Sequence, residues 1–279
     1  MLINTLTIFI LGLTARYTHS LTSTTSLGTL YDIPVSNHGA RARYLIKSKG
    51  LQKEYNFLSP QTLGGLKSSD YLKLNPQGKM PLLTTSDGLI IPESDVICRF
   101  LLDKHISLAP SFVPSTLRGR LLSDLIVRIH DQYITPTQAA MYRAPGSVFG
   151  AFGNDRKGAI EEIIKQLGVI ESLISDEKLW SGSSTSGVSG VYLCGDEISL
   201  ADVTLFPTLV FTEYMLPKFG FETAQALPRL KQYHNGISGG ACKEGKEIYE
   251  EIMGGIKGWE DNGRWEPILE EWREIQVAQ

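Results

Sequence analysis

The chain has 279 residues, a formal net charge of −3 and a hydrophobic fraction of 42%. Charge this close to neutral, with no basic run, gives no electrostatic footing for nucleic acid, and the length suits two domains or one large one. Cys98, Cys194 and Cys242 are widely spaced and form no CxxC pair, which points away from a disulfide framework and from a zinc site.

Residues 1–27 stand apart from the rest. The apolar run "LTIFILGL" is too short to span a bilayer, so no stable membrane insertion is expected. A stretch rich in Ser and Thr follows, and no acidic residue occurs before Asp32. That composition resembles an organelle transit peptide, while the apolar core resembles a secretory signal that lacks its basic start. We read 1–27 as a targeting leader or disordered segment outside the fold. Its address stays open between the cytoplasm and a plastid or other organelle after cleavage.

"GTLYDIP" is β-prone and ends at Pro34. "GARARYLIKSKG" reads as a helix with Ala40, Tyr44 and Leu45 on one face and Gly50 as its stop. "KEYNFLS" is a second strand, and "LKSSDYLKLNP" is a short helix ended by Asn75-Pro76. "MPLLTT" and "LIIP" form a hairpin around Asp87-Gly88. "ESDVICRFLLDKH" is a helix presenting Val96, Ile97, Phe100 and Leu101, in which Cys98 is expected to be a buried, inert thiol. The order β-α-β-α-β-β-α predicts a small α/β layer over 28–106.

Beyond a junction near Ser107–Pro114 the periodicity is helical throughout, predicting an all-α domain over 115–279. A long helical stretch runs to Tyr142, interrupted at Pro136. "RKGAIEEIIKQLGVIESLIS" is strongly periodic, "SSTSGVSG" is a loop, and "SLADVTLFPTLVFTEYML" opens an apolar helix. "LPRLKQYHNGI" and "KEGKEIYEEIMGGIKGWE" complete the set.

Pro81 needs a reason, because proline cannot donate a ladder hydrogen bond at the start of a strand. A cis Met80–Pro81 peptide would turn the chain and expose the Met80 amide to an extended ligand. Eleven residues later Pro92-Glu93-Ser94-Asp95 starts a helix whose free amides favour a carboxylate. Together they would make a site for a small peptide; a turn proline beside an ordinary N-cap is the alternative.

"NPQGKMPLL", a hairpin and then "IPESDVICRFLLDK" are very similar to the glutathione-binding region of the soluble glutathione transferases. Downstream, "CGDEISLADVTLFPTL" resembles that family's helix-start motif, with Ser199 and Asp202 as a capping box. The likeness covers about residues 28–250 and is greatest to serine-type, phi/zeta/tau-like classes. It implies a thioredoxin-like N-terminal domain, an all-α C-terminal domain, glutathione as co-substrate without a metal, and a homodimer. The dimer would form through the helix from Glu93 and the long helix after Ser115.

Carried over by motif, the resemblance implies that Ser36 donates a hydrogen bond to the glutathione thiolate, with Asn37 as the competitor if the turn is shifted by one. It further implies that Lys67 pairs with the glycine carboxylate, that Lys79, Met80 and Pro81 line the middle of the peptide, and that Glu93 and Ser94 receive its γ-glutamyl end. Leu66 replaces a polar residue often found there. An electrophilic, mostly apolar second substrate would lie between the domains against Tyr133, Met141 and Tyr142, with Trp259 and Trp265 closing over it. His38 and His130 invite a role as bases, but this chemistry does not require one. Without a cysteine in "PVSNHG", a thiol–disulfide reductase is disfavoured. A conjugating enzyme and a non-catalytic ligand-binding or interaction module of the same fold remain the two readings.

Overall fold

The computed structural model describes residues 26–176 and 191–277. Most of the leader and the "SSTSGVSG" loop therefore lie outside the described residues. In chain order, β1 (Gly28–Tyr31), α1 (Asn37–Ser48), β2 (Tyr55–Leu58), α2 (Ser69–Leu74), β3 (Leu82–Thr85), β4 (Ile90–Pro92) and α3 (Ser94–Lys104) form the α/β layer. The sheet order is β2-β1-β3-β4, with β1 parallel to β2 and antiparallel to β3, and β3 antiparallel to β4. The helical part comprises α4 (Leu117–Ile129), α5 (Arg156–Ser175), α6 (Leu200–Met215), α7 (Pro228–Gly236), α8 (Lys243–Asp261) and α9 (Glu266–Val277). Among the described residues no helix is long and apolar enough to cross a membrane.

α1 begins where the Ser36 side chain accepts from the Gly39 N–H and ends before Gly50, which takes φ +72°. Ala40, Tyr44 and Leu45 are buried as expected, but so are Arg41, Ala42, Arg43 and Ile46. The helix is wrapped rather than amphipathic: α3 packs on it from the sheet domain, α6 and α8 from the helical part. On α3, Ile97 and Leu101 are buried and Phe100 partly so, whereas Val96 is 51% exposed and lies outside the core. Residues 97 and 101 share one face of an α-helix, and residue 96 projects a third of a turn away. Burial among apolar neighbours pushes the Cys98 thiol up to about 12, which leaves it inert at neutral pH.

The stretch after Ser115 is helical as far as Ile134 and is interrupted around Pro136, as read from the sequence. α4 stops at Ile129, a π-helical turn spans His130–Ile134, and a 3₁₀ turn spans Gln138–Met141. Within the π-helical turn His130 meets Thr208 of α6 and Asp131 accepts from Arg41 of α1, while Arg156 of α5 donates to the carbonyls of Ala140 and Arg143. α6 is buried along nearly its whole length. Asp202 Oδ2 accepts from the Ser199 N–H and hydroxyl, both at 2.8 Å, and its Oδ1 accepts from Leu193 N–H at 2.9 Å. The capping box read from the sequence is present. α9, which the periodicity did not flag, docks through Ile268 and through Glu271, an ion-pair partner of buried Arg156.

Candidate active site

Sheet register collects the predicted residues at one edge of the layer. Tyr31 pairs with Leu82, and Leu82 with Pro92. The chain leaving β1 toward Ser36, the chain entering β3 through Met80–Pro81, and the Glu93–Ser94 start of α3 therefore emerge side by side. The Met80–Pro81 peptide is cis. Its approach is held by two donors, Tyr71 Oη and Asn75 Nδ2, each 2.8 Å from the Lys79 carbonyl. Lys67 reaches over the same turn: a Cβ on Gly78, where φ is +59°, would sit 3.0 Å from Lys67 Nζ. Lys67 and Lys79 are both exposed. Two cations thus flank the cis-proline turn.

Glu93 is an exposed non-glycine residue at φ 70°, ψ 119°, a conformation that costs energy and is retained where surrounding structure imposes it. Ser94 is buried, and its Oγ accepts from Arg41 Nη1 at 3.2 Å. Its own hydroxyl hydrogen therefore stays available to a ligand. The same logic applies to Ser36. As N-cap it uses one lone pair on the Gly39 N–H, 3.0 Å away, so capping leaves the O–H free to donate. Asn37 is different: it is buried, and its Nδ2 is spent on Gln138 and Thr208.

The loop carrying Ser36 is clamped from behind. Arg43 donates to the carbonyls of Ile33 and Pro34 and pairs with Asp32 and with Glu251 of α8. Gly39 is required by contact, because any Cβ there would overlap the Asp32 carboxyl. One turn along α8 from Glu251, Gly255 is pressed onto Val35, with only 2.4 Å between the position of a Cβ and Val35 Cβ.

A buried polar network, unforeseen as a unit from the sequence, joins both parts of the chain behind the site. Arg41 bridges Ser94, Asp95 and Asp131. Asp131 accepts from His130 Nδ1 at 2.8 Å, and His130 Nε2 meets Thr208 Oγ1 at 2.8 Å. Thr208 and Gln138 take the two Asn37 donors, and Gln138 Nε2 lies 2.6 Å from His38 Nε2. Burial works to raise Asp131, but the hydrogen bond from His130 and the Arg41 charge hold it well below the usual carboxylate range. Burial pushes His130 below the usual histidine range. The available signal was "ARAR", two arginines among alanines on a helix expected to be apolar.

The second-substrate residues do not form one lining. Tyr133 is 48% exposed on the π-helical turn, whereas Met141 is fully buried and Trp265 is 3% exposed. Both of these are corrected to core residues, fixed there because Arg156 draws the 140–143 segment inward and Trp265 packs on Tyr214 and Trp259. Tyr142 is partly buried and packs on Phe211 and Trp259, so it belongs to that aromatic cluster more than to an open wall.

Residues 35–104 match the glutathione S-transferase N-terminal domain family, and residues 154–236 the glutathione S-transferase C-terminal domain family. Glutathione S-transferase F10 of Arabidopsis thaliana is 30% identical over 162 residues, covering 56% of this chain and 67% of that protein. The chain belongs to the glutathione S-transferase family. Glutathione S-transferase 1 of Dianthus caryophyllus is 28% identical over 208 residues, covering 74% of this chain and 85% of its own. The fold agrees with that of a diazinon-metabolizing glutathione S-transferase of the silkworm, Bombyx mori, at a TM-score of 0.62 and 16% identity, covering 82% of this chain and 98% of that one. Membership carries the architecture read from the sequence: a thioredoxin-like N-terminal domain followed by helices.

Proposed function

We propose that this protein is a glutathione transferase that binds glutathione at the sheet edge, ionises its thiol, and adds the thiolate to an electrophilic, mostly apolar small molecule. The observation that carries this reading is the convergence on one edge of a free Ser36 hydroxyl hydrogen, the Met80 backbone, a free Ser94 hydroxyl hydrogen and two lysines. The register and hydrogen bonds described above supply it.

Each group has work suited to its chemistry. Met80 makes none of the turn, loop and cap hydrogen bonds among the described residues, so its N–H and C=O can pair with the cysteinyl backbone of an extended tripeptide. The Ser94 hydroxyl and the first amides of α3 suit the γ-glutamyl carboxylate, and Glu93 suits its ammonium. Lys67 and Lys79 suit the glycine carboxylate. The Ser36 O–H then lies at the start of α1, where helix amides also favour negative charge. A free thiol ionises near pKa 8.5. Lowering that by about two units needs roughly 2.7 kcal/mol, within reach of one hydrogen bond to a charged atom plus the helix start. The thiol proton leaves to water, and the electron pair on sulfur forms the new C–S bond. Tyr133, exposed on the π-helical turn, is the sequence-predicted residue available to the electrophile.

A homodimer belongs to the same proposal. Leu117, Leu121 and Leu125 of α4, spaced four apart, are 74%, 52% and 37% exposed, and Val96 of α3 is exposed as well. A stripe of this kind on the two helices expected at the interface supports self-association.

The test is retention of the purified protein on immobilised glutathione, followed by turnover with a panel of electrophiles. Retention with turnover is expected. Retention without turnover would leave a ligand-binding module of the same fold, and no retention would overturn the site.

A further inference from the structure

Backbone chemistry fixes the tautomer of a histidine two residues beyond Ser36. The His38 N–H can only donate, and it lies 3.0 Å from Asn37 Oδ1. The other end of that carboxamide, Nδ2, therefore faces Gln138 Oε1 at 2.6 Å. Gln138 in turn presents its Nε2 to His38 Nε2, 2.6 Å away, so this ring nitrogen must accept. A neutral imidazole that accepts at Nε2 carries its hydrogen on Nδ1.

The surroundings keep the ring neutral. Burial is the main cause, and the charges of His130, Arg41 and Lys79 add to it against Asp131 alone, which together push His38 down to about 3. Nδ1 has no hydrogen-bond partner among the described residues, yet it is not one of the enclosed polar atoms left without a partner. The residue is partly exposed. Its free N–H is therefore not enclosed by the protein, on the first turn of the helix that Ser36 caps and within electrostatic reach of Lys79.

We propose that His38 donates Nδ1–H to the glutathione sulfur as a second hydrogen bond beside the Ser36 hydroxyl, with Gln138 as the positioning residue that sets its tautomer. This rests on the reading of the site given above. It uses the histidine as a fixed donor and not as a base: the thiol proton goes to water and the imidazole keeps its own. A donor held neutral by burial does not titrate across the working range, so its help to the thiolate is constant with pH. Because Gln138 belongs to the helical part of the chain, thiolate stabilisation on the sheet domain depends on how the two parts are docked.

The experiment is a titration of the ultraviolet thiolate band of the glutathione complex, alongside the glutathione Kd. It compares the full-length protein with His38→Phe, His38→Asn and Gln138→Met. His38→Phe is expected to raise the titration midpoint by about one pH unit while Kd changes less than about threefold. His38→Asn should recover part of that shift through its amide donor. Gln138→Met, which frees the tautomer without removing the ring, should raise the midpoint by a smaller amount. A wild-type midpoint in His38→Phe, with Ser36→Ala shifted, would overturn the proposal and leave the site intact. Should His38→Phe fail to fold, a wild-type midpoint in Gln138→Met overturns it. Absence of a thiolate band in the unmutated protein would instead overturn the site itself.

Discussion

Two glycines on one helix should respond to the same substitution with opposite sign. Gly254 and Gly255 are neighbours in α8, and in an exposed helix interior alanine is favoured over glycine by about 0.8–1.0 kcal/mol. A Cβ on Gly254 meets nothing within 4 Å, and that residue is exposed, so Gly254→Ala should realise the full gain. In a chain of this size that is a rise of about 2–4 °C in Tm. A Cβ on Gly255 would lie 2.4 Å from Val35 Cβ and 2.8 Å from its Cγ2, well inside contact distance. Neither atom is the end of a long flexible side chain, so α8 or the 33–36 loop must move. Overpacking of this kind costs about 1–3 kcal/mol, which exceeds the propensity gain and leaves Gly255→Ala net destabilised by up to about 2 kcal/mol. Since Val35 precedes Ser36, the displacement should also reach the thiolate site and lower kcat/KM several-fold, whereas Gly254→Ala should keep wild-type kinetics. Differential scanning calorimetry with steady-state kinetics on both variants is the assay. Equal stabilisation by the two alanines with equal activity would refute the claim that α8 buttresses the Ser36 loop.

Three further outcomes are expected. Asp202→Ala removes the acceptor of three buried donors, so unfolding titrations should show a loss of about 2–4 kcal/mol, with glutathione affinity of the folded fraction unchanged. His38 and His130 both have folded pKa values below the unfolded 6.5, so the native state binds fewer protons; stability should be full above pH 6.5 and fall as pH drops toward 5. Replacing His130 by Gln should reduce that slope, by at most about 1.4 kcal/mol per pH unit, in denaturant titrations at successive pH values. Leu121→Glu places a charge in the exposed stripe and should yield a monomer by light scattering at micromolar concentration, where the unmodified chain is expected to be a dimer.

The fold was legible where local signals agreed with the global arrangement. The β-prone stretches, the Asp87-Gly88 turn and the Ser199/Asp202 box each act over a few residues, and each is found where its motif lies. The stretch after Ser115 keeps its helical period to Ile134 and breaks around Pro136 as read, but the period does not announce the π-helical turn in which His130 and Asp131 meet partners 78 and 90 residues away in sequence. Val96 shows the same limit, since an apolar residue on a helix reads as core whether the face it occupies is buried or bare. Most of the candidate site lay in contiguous motifs and could be read residue by residue. The network behind it could not, because Asn37, Gln138, Thr208, Asp131 and Arg41 come from four elements and declare themselves only as polar residues at positions that turn out to be buried or half-buried. Met141 and Trp265 erred the other way: aromatic and thioether side chains near a site look like lining until their burial is known.

The central claim is that the Ser36 hydroxyl, free to donate while it caps α1, stabilises the bound thiolate. Ser36→Ala, followed by titration of the ultraviolet thiolate band in the glutathione complex, tests it most directly. The account predicts a midpoint raised by about one to two pH units, the scale of a hydrogen bond to a charged atom at roughly 1.5–3 kcal/mol, with glutathione Kd nearly unchanged. An identical midpoint in the two proteins, both saturated with glutathione, would contradict it.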